Sequence, residues 1–175
     1  MMRIRSLVPF VVLVGLVANA SAPAVVEAQP RIMAGAGMST PLGDLADDAG
    51  VGWHAGAGLQ LEFPNLPVAL RGDGAYHSFG EESPAAQQSI LAGALSVVVN
   101  LPGPGIVPYF LGGMGMYRTS VEGIEETSSD SGFHGAFGVN IGQLGFGGFG
   151  EVRFVNVNAE EGDGRFVTAT IGFRL

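Results

Sequence analysis

"GFGGFG", Gly145 to Gly150, has the spacing G-x-G-x-x-G of a phosphate-cradling loop. That chemistry needs a strand before the glycines and a helix N-terminus after them, so that backbone amides meet phosphate. Here "EVRFVNV" follows, which alternates like a strand. Nucleotide binding fails this context test. The three histidines, His54, His77 and His134, could converge on a metal or sense acid in the outer medium. Spacing alone is weak ground for ligation, and the plainer reading is three polar residues near one rim. Ser78 follows His77 directly, and neighbours on a strand point to opposite faces, so the pair cannot form an activated nucleophile. Asp73 shares a face with His77 but lies two pleats away, beyond direct contact. No catalytic residue, cofactor or metal ligand is assigned, and the chain is not read as an enzyme.

Alternation broken by turn residues positions these side chains; no segment after Arg31 holds a helical period. Eight strands are expected: 31–39, 51–63, 68–79, 88–101, 107–121, 132–143, 147–156 and 166–175. Most reach the roughly 9–11 residues of a tilted membrane-spanning strand. The connections alternate too. After the second, fourth and sixth strands they are tight and uncharged ("PNLP", "PGPG" and a turn near Leu144). The other four are longer and acidic: "PLGDLADDAG", "GEESPAAQ", "EGIEETSSD" and "AEEGDGR". They hold Asp44, Asp47, Asp48, Glu81, Glu82, Glu122, Glu125, Glu126, Asp130, Glu160, Glu161 and Asp163, most of the chain's 16 acids. Short turns at one end and long polar loops at the other are the plan of an outer-membrane barrel.

Strand parity sorts the side chains. Trp53, Ala55, Ala57, Leu59, Leu61 and Phe63 share one face; His54, Gly56, Gly58, Gln60 and Glu62 share the other. In a membrane barrel the apolar set faces lipid and the polar set fills the lumen. The lumen should then hold Arg71, Asp73, Glu151, Arg153 and Glu62. Unpaired buried charges are costly, so these pair across the interior. The pairs either plug the barrel or gate a narrow pore. Inward glycines such as Gly56 and Gly58 leave room for larger neighbours. On the outward face, two aromatic girdles are expected, as membrane interfaces favour. Trp53, Tyr76, Tyr117 and Phe133 form the one nearer the acidic loops; Phe63, Tyr109 and Phe173 form the other.

Composition agrees with this reading. The chain has 175 residues, only 14% charged, with 29 glycines and no cysteine. Its net charge is -8 and every basic residue is arginine, a poor partner for nucleic acid. "MMRIRS" followed by "LVPFVVLVGLV" reads as a Sec-type signal peptide, residues 1–28, cleaved before Gln29. The apolar run is shorter than the ~17–25 residues of a membrane helix. Residues 29–175 then form one domain. Paired acids such as Asp47-Asp48 and Glu125-Glu126 could take divalent cations and so contact lipopolysaccharide, or simply solvate the loops.

The signal segment, "VPYFLGGMGMYR" and the final "FVTATIGFRL" resemble the small eight-stranded outer-membrane beta-barrel family of OmpA-like, OmpX-like and OmpW-like proteins. The resemblance implies an all-β, antiparallel up-and-down transmembrane β-barrel of about eight strands, a monomer without a cofactor. It also implies a C-terminal signal read by the barrel assembly machinery. The chain ends in Leu175 where that family most often has phenylalanine, though Phe173 keeps the parity. In the fifth strand Phe110, Met114 and Met116 are expected to face inward beside Arg118. Either the parity slips there or the lumen has an apolar wall, which would suit an OmpW-like carrier. The expected function is an outer-membrane protein with a structural or surface-interaction role, embedded in lipid and lipopolysaccharide. The alternatives are a narrow pore or a carrier of small hydrophobic molecules, and a secreted soluble lipophile-binding barrel.

Overall fold

The computed structural model describes residues 28–64, 66–81, 88–121, 127–143, 146–158 and 163–175. The expected leader lies outside them except for Ala28, as do Glu82, Glu122, Glu125, Glu126, Glu160 and Glu161 of the acidic loops. The described chain is eight antiparallel strands: β1 Gln29–Leu42, β2 Ala49–Glu62, β3 Val68–Glu81, β4 Gln88–Asn100, β5 Ile106–Val121, β6 Thr127–Gln143, β7 Phe146–Asn158 and β8 Asp163–Arg174. A single helical turn, α1 (Leu45–Asp48), interrupts the first long connection. Each strand pairs with its neighbour in sequence, and β8 pairs back onto β1 to close the barrel. Ile32 and Leu175 exchange backbone hydrogen bonds of 3.0 and 2.9 Å at this seam.

The register sets the barrel's shape. Cα partners can be followed once round from Ile32 through Leu59, Gly72, Leu95, Met114, Phe133, Asn156 and Arg165. The path returns to β1 at Leu42, ten residues beyond its start at Ile32. A stagger of this size tilts the strands by about 40° from the barrel axis and leaves an interior that side chains can fill.

The strands run further into the long connections than alternation indicated. Ser120 pairs Thr127 and Asn158 pairs Asp163, so Asp130 and Asp163 are strand residues rather than loop residues. Polar residues continue a strand wherever the neighbouring ladder satisfies their backbone groups. At the short-turn end "PGPG" turns tightly, with Gly105 at φ 79 and the Ile106 amide donating to the Pro104 carbonyl at 2.9 Å. Glycine takes that φ at no steric cost.

Two expectations about β5 are corrected. Phe110, Met114, Met116 and Arg118 face outward and are exposed, whereas Tyr109, Leu111 and Tyr117 are buried inside. Neither Tyr109 nor Tyr117 belongs to an outer girdle. The cause is local: both parities of this strand are apolar, and the tyrosines find hydroxyl partners inside. The lumen therefore has no wall of Phe110 and the two methionines. Elsewhere parity sorts as expected, with Trp53, Leu59, Leu70, Phe133 and Ile171 exposed on the outer surface and His54, Gln60, Arg71, His134 and Thr168 buried within.

Interior glycines make room for bulk. A Cβ on Gly138 would collide with the Tyr109 ring, and one on Gly172 would lie 2.7 Å from Phe149 Cζ.

Candidate functional site

The lumen is filled in layers. At the short-turn end the Glu62 carboxylate accepts from Arg174 Nη1 at 3.1 Å, Arg31 Nε at 3.5 Å and Gln60 Nε2 at 3.1 Å. Gln60 Oε1 in turn accepts from Arg71 Nε and Nη2 at 3.0 and 2.9 Å. Sequence parity put Gln60, Glu62 and Arg71 on the inward face; the order of these contacts follows from the stagger.

The next layer contains the other four of the five charges singled out from the sequence. Arg71 and Asp73 lie two residues apart on β3, and Glu151 and Arg153 two apart on β7. The two strands are four positions apart in a ring of eight, so they face each other across the lumen. Both start from short turns and run the same way. Arg71 therefore meets Glu151 (Nη1 to Oε2, 2.6 Å), and Arg153 meets Asp73 (Nη2 to Oδ1, 2.7 Å). Arg153 Nε also donates to Glu151 Oε1 at 2.9 Å. The Tyr109 hydroxyl donates to Glu151 Oε2 at 2.7 Å, and its ring lies 5.1 Å from the Arg71 guanidinium carbon. Glu151 thus takes three donors, and its side chain is only 4% exposed. Buried ions are tolerated when paired and hydrogen-bonded in this way. Tyr109 was not assigned to this network from sequence; its inward parity was the missing signal.

The histidines do not converge. His54 and His77 pair across β2 and β3, and Ser39 Oγ lies 3.1 and 3.0 Å from their Nδ1 atoms. His54 Nε2 meets Thr170 Oγ1 at 2.9 Å. His134 stands apart, with Ser96 Oγ at 2.8 Å and the Tyr117 hydroxyl at 3.4 Å. Among the described residues, no group of three His, Cys, Asp or Glu is placed to hold a metal ion.

Beyond the histidines the lumen turns apolar. Phe79, Ile90, Tyr117, Val155, Val157 and Phe166 form a buried cluster at the long-loop end, with Leu45 of α1 packed against it. The Phe166 ring sits edge-on to Phe79, His77 and Tyr117 at 5.7, 5.1 and 6.5 Å. Sequence reading missed this seal. Its signal was the switch from polar to apolar residues at inward positions just before the acidic loops. Between it and the ion pairs lies a cavity of about 80 Å³. Ligand pockets begin at about 300 Å³, so this one has room for a few waters only.

Of the outer aromatic positions, Trp53, Tyr76, Phe133 and Phe173 are exposed, Phe63 is half-buried at the edge of a short turn, and Trp53 lies 5.8 Å from Tyr76. Phe110 and Phe137 add an exposed pair 5.2 Å apart on β5 and β6. Trp53 is the chain's one tryptophan, so fluorescence reads its depth directly. Headgroup-level nitroxide lipids should quench it more than lipids labelled near the acyl terminus. Stronger deep quenching would remove Trp53 from any interfacial girdle.

Comparisons with known proteins agree with this architecture. No curated protein matches the sequence. The structure is similar to Neisserial surface protein A (TM-score 0.69, 14% identity, covering 83% of this chain and 96% of that one). It is also similar to OprG of Pseudomonas aeruginosa (0.57, 12%, 85% and 96%). A third likeness is Ail, the attachment invasion locus protein of Yersinia pestis (0.52, 16%, 85% and 99%). At these identities the likeness shows the fold. The sequence model of the outer membrane protein beta-barrel domain matches residues 10–173. A closed eight-stranded barrel with an apolar exterior and a polar lumen accounts for that match, and the chain belongs to the outer membrane protein beta-barrel family.

Proposed function

We propose that this barrel has a structural or surface-interaction role in the bacterial outer membrane, its lumen plugged by charged pairs. The observation that carries the reading is the pair of ion bridges between opposite strands, Arg71–Glu151 and Asp73–Arg153. They cross the interior at adjacent heights, and the apolar cluster lies above them. A carrier of small hydrophobic molecules would need an apolar pocket, but Phe110, Met114 and Met116 face outward. A soluble lipophile-binding barrel would not expose Trp53, Leu95, Phe133 and Ile171.

Residues 1–28 act as a cleaved leader, both mature termini face the periplasm, and the last strand addresses the barrel to its assembly machinery. The folded protein is a monomer in lipid and lipopolysaccharide, and it has no catalytic role. Ail has been solved with a heparin analogue, sucrose octasulfate. The acidic loops of this chain would repel such a polyanion; they suit contact with lipopolysaccharide phosphates bridged by divalent cations.

Conductance tests the plug. The chain refolded in detergent, confirmed by mobility on an unboiled gel, should insert into a planar bilayer without discrete current steps. Reproducible steps would establish a water path and put the pore reading ahead.

A further inference from the structure

We infer that His54 and His77 make the apolar seal of the lumen acid-operated: two protons, taken up together, part the seal and admit water from the long-loop end. The two rings are buried, with centroids 5.3 Å apart. Their Nδ1 atoms share one hydroxyl, the fully buried Ser39 Oγ. A hydroxyl carries a single proton, so it donates to one imidazole and accepts the N–H of the other. That pairing is complete only while both rings are neutral. His77 is also the underside of the seal. Its ring meets Phe166 edge-on at 5.1 Å and stacks on Phe79 at 6.4 Å.

A proton added here has no counter-charge to meet among the described residues. The charged and titratable groups facing the pair are Arg71 and Asp73 on β3, Tyr117 on β5, His134 on β6, and Glu151 and Arg153 on β7. Glu151 already takes three donors, and Asp73 is held by Arg153. In this layer β1, β4 and β8 present Ser39, Ala92, Thr168 and Thr170. Asp44 and Asp47, at α1, are exposed to solvent. Two charged rings would therefore stand together, unpaired, in a buried layer that already holds Arg153. An imidazole in water takes its proton below about pH 6.5. The rings gain theirs by parting the seal. Each proton coupled to opening changes the ratio of open to closed barrel about tenfold per pH unit, so two change it about 100-fold.

The test places a thiol beneath the seal. Val155 is 2% exposed and lines the same cavity as both rings, and the chain has no cysteine. Val155→Cys, folded in lipid nanodiscs and checked on an unboiled gel, is labelled with a small charged thiol reagent from pH 7 to pH 4. The same chain carrying His54→Gln/His77→Gln corrects for titration of the thiol and of the acidic loops. The ratio of the two rates should be constant above about pH 6.5 and then rise by about 100-fold per pH unit. With His54→Gln or His77→Gln alone the rise should be about tenfold. His134, held across the lumen by Ser96 and Tyr117, is the control, and His134→Gln should keep the full slope. NMR of the histidine rings needs no substitution: His54 and His77 should charge together over the range in which labelling rises. A ratio that stays flat to pH 4 overturns the proposal. So does a slope lost in His134→Gln, or labelling that rises while both rings remain neutral. None of these readouts depends on whether the ion-pair layer below conducts.

Discussion

Replacing Glu151 by leucine should lower the unfolding free energy of the barrel by about 3–5 kcal/mol. Glu151 is the carboxylate on which Arg71, Arg153 and the Tyr109 hydroxyl meet. Its loss leaves Arg71 with the neutral Gln60 oxygen and the Tyr109 ring, and Arg153 with Asp73. The Arg71 side chain is 3% exposed, so water cannot readily replace the missing charge. Urea titration in lipid vesicles, followed by Trp53 fluorescence, measures the change. The double variant Arg71→Met/Glu151→Leu should recover much of the loss, because it removes the stranded cation together with its partner. A single-variant cost below about 1 kcal/mol, the value of an exposed pair, would mean the layer is hydrated.

Two adjacent glycines provide the second test. Gly113 points inward, where an added Cβ would collide with the Leu95 carbonyl oxygen and sit 2.8 Å from Ser96 Cα and 2.9 Å from His134 Nε2. The first two are backbone atoms of β4 and cannot yield without parting β4 from β5. Gly113→Ala should therefore destabilise the barrel by about 1–3 kcal/mol or more. Gly112 points outward, and a Cβ there meets nothing nearer than the His134 carbonyl oxygen at 3.9 Å. Gly112→Ala should be neutral or stabilising by about 0.4–1 kcal/mol, through the lower entropy of the unfolded chain. Equal effects in the two variants, measured by urea titration, would refute the assigned parity of β5.

The strand count, their pairing and most of their facing could be read from sequence, because one parity of each strand is apolar and the other polar or small. Strand β5 defeats that test: Tyr109, Leu111 and Tyr117 alternate with Phe110, Met114 and Met116, so its parity carries no contrast. The tyrosines go inside because Glu151 and His134 lie within reach of their hydroxyls. Parity also placed Arg71, Asp73, Glu151 and Arg153 in the lumen, but it could not assign partners across it. That assignment depends on which strands are opposite and on the ten-residue stagger from Ile32 to Leu42.

Closure by β1 and β8 has a kinetic consequence. Seven of the eight seams join strands adjacent in sequence, and the last joins the chain's two ends. Long-range pairing is slow to form, so the sheet curls with two bare edges before it is sewn shut. Strands β3 and β7 face each other only once the cylinder is complete, so the Arg71–Glu151 and Asp73–Arg153 bridges form at the end of assembly. Contacts absent from the rate-limiting transition state retard unfolding and hardly affect folding. The bridges therefore work as a latch: Glu151→Leu should open the finished barrel faster while leaving its rate of assembly almost unchanged, a split that stopped-dilution kinetics can read.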